Sequence, residues 1–228
     1  LTYLPGSKEK LALKESIKVA KSQELEIYSV INGNEVKTGD RKRIHPPHEI
    51  NHTLGHYYKC GPKEVEMAIE AALAAKPSWE SMDWQDRAAI FLKAADLMAG
   101  PYRSQMSTAT MLGQSKNVYQ AEIDCICELV DFLRFNVHFM SEIYKNQPYS
   151  PAQTWNKVEY RALEGFVFAL TPFNFTAIAG NLPTAPAMMG NTVVWKPSET
   201  QIYSAHLLMK IFQEAGLPDG VINLVYVG

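Results

Sequence analysis

Two short polar strings interrupt and close a stretch that carries no charge from Gly165 to Trp195. The first is Thr171-Pro172-Phe173-Asn174-Phe175-Thr176, and the second is Lys196-Pro197-Ser198-Glu199. A primary amide offers N–H donors without a net charge, so Asn174 has the chemistry to stabilise an oxyanion in a dry pocket. The alternative is an asparagine that caps a helix starting at Phe175 or Thr176. In the second string the Glu199 carboxylate could accept both hydroxyls of a ribose while Lys196 donates to the same sugar. The alternative there is a solvated strand-end lysine followed by a Ser/Glu helix start.

Such groups need elements to place them. A membrane span requires about 20 predominantly apolar residues, and Pro172, Asn174, Asn181, Pro183, Pro186 and Asn191 break this run. The other reading is the buried centre of an α/β domain. Buried parallel strands are continuously apolar, and ligands bind outside their carboxyl ends. The pattern predicts a strand over Gly165–Leu170, a helix over Thr176–Met189 and a strand over Thr192–Lys196. A helix over Thr200–Ala215 and a strand over Val221–Val227 complete βαβαβ, half of a doubly wound nucleotide-binding sheet. No GxGxxG string follows any of these strands, so the usual dinucleotide fingerprint is absent. A lone three-stranded half-sheet would leave an edge and a face open, so the chain is expected to be part of a larger protein.

Upstream, a helix is predicted over Lys8–Lys21, with strand-like pieces over 26–36 and 57–59. Asn32-Gly33-Asn34 is a hairpin turn signal. Pro62 suits a first helical position, and Val65, Ala68, Ile69, Ala72 and Leu73 form a helical stripe. Asp83 is placed to cap a helix that runs to Met98 and stops at Gly100-Pro101. A long helix is predicted from Lys116 to Tyr144, with Ile123, Ile126, Leu129, Val130 and Leu133 inward. A proline-containing break over 148–156 leads into a strand-like stretch, 157–163.

Composition narrows the classes. At 20% charged and 46% apolar residues with a net charge of −2, the chain is too apolar for disorder and carries no bias toward nucleic acid or an anionic membrane. The one basic cluster, Arg41-Lys42-Arg43, reads as a solvated loop. Three cysteines, Cys60, Cys125 and Cys127, do not make a disulfide framework. They read as structural thiols. His45, His48, His52 and His56 have spacings that superficially suit a metal, but Pro46 and Pro47 exclude a helix that would align them; no metal site is expected.

The ordered set TPFNFT, GNTVVWKPSE and EAGLPDG, at these spacings, resembles the aldehyde dehydrogenase family. The resemblance implies an α/β fold with an amino-terminal region over 1–147, part of a β-flap and oligomerisation element over 148–163, and the first βαβαβ half of a Rossmann-type NAD-binding domain over 164–228. It implies NAD as cofactor, with Thr171, Pro172, Phe173, Lys196, Ser198 and Glu199 on the cofactor side. Asn174 becomes the oxyanion stabiliser, and Phe175 and Glu128 fall on the substrate side; the alternative for Glu128 is an ordinary exposed helix glutamate. The strings IEAALAA (69–75), FLKAADLMAGPYR (91–103), QAEID (120–124), DFLRFN (131–136), YRALEGF (160–166) and TPFNFTAIAGNL (171–182) are similar to the branch that oxidises L-glutamate γ-semialdehyde to L-glutamate in proline catabolism.

That branch implies a small-molecule aldehyde substrate and a homodimer or higher homo-oligomer, in the mitochondrial matrix of a eukaryote or the cytoplasm otherwise. It also implies that the nucleophilic cysteine, the general-base glutamate, a second cofactor turn and a loop gripping the substrate carboxylate lie past Gly228. Two alternatives differ in kind: another NAD(P)-dependent aldehyde dehydrogenase, or a catalytically incompetent piece that binds nucleotide or a partner.

Overall fold

A computed structural model describes residues 1–228. Helix α1 (Lys8–Lys21) leads into β1 (Leu25–Ile27), β2 (Ser29–Ile31), β3 (Asn34–Val36), β4 (Asp40–Ile44) and β5 (Gly55–Lys59). Helices α2 (Pro62–Ser81), α3 (Trp84–Ala99) and α4 (Arg103–Gln114) follow. A short α5 (Val118–Ala121) then continues through a π-helical segment, Glu122–Glu128, into α6 (Leu129–Lys145). The last part alternates: β6 (Val167–Thr171), α7 (Thr176–Met188), β7 (Val193–Pro197), a 3-10 turn over Glu199–Gln201, α8 (Ile202–Ala215) and β8 (Ile222–Leu224).

The βαβαβ unit is present, with β6, β7 and β8 parallel in that order. The edge beyond β8 is not open, however. The β2–β3 hairpin adds to it antiparallel, giving a five-stranded sheet in the order β3-β2-β8-β7-β6. Asn32 and Gly33 both have positive φ, 49° and 75°, as a two-residue turn between twisted strands requires. The backbone N–H of Asn32 donates to Asn223 Oδ1 at 2.9 Å, which ties the turn to β8. At the opposite edge the outer side of β6 has no partner strand, and Phe168 and Leu170 are exposed on it. A second sheet, β1-β5-β4, carries the Arg41-Lys42-Arg43 cluster on an edge strand, not in a loop; charge on an edge discourages pairing with other chains.

Several expectations are corrected. The predicted long helix begins at Val118, with Asn117 as its N-cap, and is interrupted by the π segment. The extra residue per turn resets the helical phase, so Ile123 faces solvent, while Glu122, Asp124, Cys125 and Ile126 are buried. On α2, Ala68 and Ala72 are buried but Leu73 is exposed. Asp83 occupies the N-cap position of α3 without a side-chain cap bond. Helix α4 had no counterpart in the sequence reading. Residues 157–163 form no strand, because no neighbouring strand lies beside them. They are held by side-chain anchors such as Gln147 Oε1, which accepts from Val158 N at 2.9 Å, and Asn191 Oδ1, which accepts from Leu163 N at 2.8 Å.

Helix α7 is the element on which the site depends, and its sequence is a poor helix on its own. Pro183 and Pro186 lie inside it, and each interior proline costs about 3 kcal/mol. It is held by its neighbours instead. Arg87, 3% exposed, donates Nε to Met188 O at 3.1 Å, and Trp79 Nε1 donates to Ala187 O at 2.8 Å. Two carbonyls of its last turn are thus satisfied from α2 and α3, with a cation at the negative end of the helix dipole. A Cβ on Gly180 would stand 2.5 Å from Leu129 Cδ2, so only glycine allows α7 to lie this close to α6.

Candidate active site

The parallel register of β6 and β7 pairs Leu170 with Lys196 and Thr171 with Pro197. The two polar strings therefore leave adjacent strands side by side at their carboxyl ends, where ligands of such sheets bind. The join is tight: Trp195 Nε1 donates to Thr171 Oγ1 at 3.0 Å, and Ser198 N donates to Thr171 O at 3.1 Å. Thr171 is 3% exposed, with its hydroxyl and carbonyl both engaged, so it fixes the spacing of the two turns. Pro172 is half-buried beside it, and Phe173 is exposed.

Asn174 is exposed on the turn and lines a cavity of about 310 Å³ with Pro47, Gly113, Gln114, Lys116, Phe173 and Thr200. It does not cap α7. The N-cap residue is Phe175, without a side-chain cap bond, and the helix's first amides are taken elsewhere: Asp124 Oδ2 accepts from Thr176 N at 3.2 Å and Oδ1 from Ala177 N at 3.0 Å. Asn174 is therefore not needed as a cap, and its amide is available to a ligand in the cavity it lines. Phe175 sits under the Lys116 ammonium, 4.0 Å from the ring centroid, and its carbonyl accepts from Gln201 Nε2 at 2.8 Å. Glu128 ends the π segment half-buried and is not among the residues lining this cavity.

On the other turn Lys196 is half-buried, Ser198 Oγ lies 3.3 Å from Thr200 Oγ1, and Glu199 is exposed. Glu199 pairs with Lys59 Nζ at 3.0 Å, a residue the sequence reading did not single out, and not with Lys196. Burial, and next the Glu199 carboxylate, push the neighbouring Tyr57 phenol up to about 12, so it stays protonated at neutral pH. The donor set fits a ribose: one carboxylate to accept from a diol, and a lysine to donate to it.

The other groups weighed in the sequence are dispersed. His48 Nδ1 lies 2.8 Å from Ser115 Oγ, His45 bonds its neighbour Pro46, and His56 lies between Arg41 and Glu26. No group of three His, Cys, Asp or Glu side chains is placed to hold a metal ion. Burial pushes the Cys125 thiol up to about 12, and raises Cys60 and Cys127 as well; none is an activated nucleophile. No helix is long and apolar enough to cross a membrane. A larger cavity, about 670 Å³ between α1, α4 and α8, contains none of these site residues.

The model of the Aldehyde dehydrogenase family matches residues 36–228. This chain belongs to that family. Among curated aldehyde dehydrogenase relatives, the Delta-1-pyrroline-5-carboxylate dehydrogenase of Agaricus bisporus is 50% identical over 227 residues, 99% of this chain and 42% of its own length. The mitochondrial Delta-1-pyrroline-5-carboxylate dehydrogenase of Homo sapiens is 44% identical over 225 residues, 99% of this chain and 40% of its own. The solved structure of the Delta-pyrroline-5-carboxylate dehydrogenase from Mycobacterium tuberculosis bound with NAD superposes with a TM-score of 0.97 at 49% identity, covering 99% of this chain and 42% of that one. The chain therefore spans about two-fifths of the length of the relatives it matches.

Proposed function

We propose that the protein carrying this chain is an NAD-dependent delta-1-pyrroline-5-carboxylate dehydrogenase, which oxidises L-glutamate γ-semialdehyde to L-glutamate. The observation that carries this reading is the register of Leu170 against Lys196, which brings the Asn174 turn and the Lys196–Glu199 turn to one sheet edge. Relatives 43–50% identical along nearly the whole chain bear that enzyme's name, which supports the substrate as well as the reaction class.

The chemistry that bound NAD would supply here is acceptance of a hydride from the substrate carbon. This chain contributes binding and charge stabilisation. Lys196 and Glu199 hold the adenosine ribose, with Ser198 in their turn, while Thr171, Pro172 and Phe173 form the wall between cofactor and substrate. Asn174 donates its amide to the oxyanion formed when a thiolate from the remainder of the protein adds to the aldehyde. Phe175 and Glu128 are assigned to the substrate side. Residues 1–147 and 164–228 form the cofactor-binding part.

Residues 148–163 are assigned to self-association. Tyr149 and Trp155 are each 83% exposed there and Leu163 is 65% exposed, apolar side chains that a partner subunit could cover. Sedimentation of the full-length protein with Trp155→Ser should then give smaller species than wild type, and unchanged sedimentation would remove the assignment. Eukaryotic relatives bear mitochondrial names, and the matrix is assigned for a eukaryotic source, the cytoplasm otherwise.

The deciding assay is NADH formation by the full-length protein with glutamate γ-semialdehyde set against other aldehydes. Preference for the γ-semialdehyde is expected. A better rate with another aldehyde would move the protein to a different branch, and no NADH with any aldehyde would leave a binding role.

A further inference from the structure

We infer that Asp124 and Lys116 are positioning residues for the Asn174 turn, an inference that rests on the function proposed above. Helix α7 begins directly after Asn174-Phe175 and lacks a cap of its own. Its first amides would be orphaned at the end of a buried helix. Asp124, 2% exposed and 52 residues upstream, accepts from the amides of Thr176 and Ala177, one with each carboxylate oxygen. A carboxylate there also faces the positive end of the helix dipole.

The reach depends on the π segment. Four of its first five residues are buried, Glu122, Asp124, Cys125 and Ile126, which is more of the circumference than one face of an α-helix covers. Two are acids, and each has a partner: Glu122 bonds Arg103 and Tyr3, and Asp124 bonds Lys116 Nζ at 2.6 Å. Inserted π turns of this kind recur at functional sites.

Lys116 extends the device to the turn itself. Its ammonium, bonded to Asp124, also sits 4.0 Å from the centroid of the Phe175 ring, within the range of a cation–π contact. Lys116 lines the same cavity as Asn174. The turn is therefore pinned at Phe175 by the cation and at Thr176-Ala177 by the carboxylate, and Asn174 is the adjoining residue. Oxyanion donors act only at close and fixed distance, and a misplacement near 1 Å can cost about 10²-fold in rate.

The test uses the full-length protein as wild type, Lys116→Met, Lys116→Arg and Asn174→Ala. Steady-state NADH formation, NAD affinity by fluorescence titration, and hydrogen exchange at the Thr176 and Ala177 amides are measured on each. Lys116→Met is expected to lower kcat about 10- to 100-fold, with NAD affinity unchanged and faster exchange at the two amides. Lys116→Arg should restore most of kcat. A Lys116→Met enzyme with kcat within about twofold of wild type and unchanged exchange overturns the inference, as does a loss of kcat matched by an equal loss of NAD affinity. If wild type forms no NADH, the functional reading fails by itself, and exchange at Thr176 and Ala177 still decides whether Lys116 and Asp124 hold the turn.

Discussion

Lys59 Nζ lies 3.0 Å from Glu199 Oε1, joining the last residue of β5 to the turn that follows β7. The pair links the two sheets of the molecule at the point where a ribose is proposed to bind. It leaves the orientation of the Glu199 carboxylate to a residue from the amino-terminal region.

The glutamate is about half exposed, and such ion pairs contribute about 0–1 kcal/mol. Lys59→Met should therefore raise the Kd for NAD by no more than about fivefold and leave kcat unchanged. Titration of NAD into the full-length variant checks this. A loss beyond a hundredfold would mean that Lys59 itself contacts the cofactor.

Asn174→Ala should lower kcat by about 10²–10³ while NAD affinity stays the same. It should also leave thermal stability unchanged, because the cap of α7 comes from Asp124. Differential scanning calorimetry beside steady-state kinetics separates the two roles. A clear fall in Tm with kcat retained would return Asn174 to helix capping.

Gly180→Ala places a methyl group against Leu129, itself fully buried. Overpacking of this kind costs about 1–3 kcal/mol. Urea unfolding of the variant should show that loss, and no loss would mean that α6 and α7 can part without penalty.

Burial, and next the charge of Lys210, lower the His206 imidazole to about 4 from an ordinary 6.5. The histidine is 5% exposed at the cavity shared by α1, α4 and α8, whose lining includes Glu15, Lys210 and Tyr203. Below pH 6.5 the unfolded chain takes up a proton that the folded one does not. Stability is therefore fully present above 6.5 and is lost as pH falls towards 4, by up to about 3 kcal/mol from this group. Unfolding free energies at pH 7 and pH 4.5 should differ by less in His206→Leu than in wild type. An equal difference in both would place the acid sensitivity elsewhere.

The strands and helices from 165 onward were legible because apolar runs and the two polar strings mark their ends, except that β8 covers only Ile222–Leu224 of the strand expected over Val221–Val227. The hairpin at Asn32-Gly33 was legible locally, but its pairing with β8 depends on contacts across most of the chain. Helix α4 was silent because only Met106 and Leu112 are large apolar residues on its buried side, and Ser107, Thr108, Ala109, Thr110 and Gly113 between and beside them are small or polar and blur the apolar periodicity. The π segment left no mark either, since an inserted residue shifts the phase without changing composition. The strand expected over 157–163 needs a partner that local pattern cannot supply. At the site, Asn174, Lys196 and Glu199 stood out by residue type. Lys59, Lys116 and Asp124 did not, because an ordinary surface lysine or helix aspartate reads the same way in one dimension.

Helix α7, with two internal prolines, is held at one end by Asp124 and at the other by Arg87 and Trp79, all distant in sequence. It cannot nucleate by itself, and its anchors exist only after the helices around it have docked. It should therefore be among the last parts of the molecule to form on refolding. Substitutions within it should speed unfolding while leaving the folding rate nearly untouched. The segment proposed to carry the reaction would then also be one that assembles only on a finished scaffold.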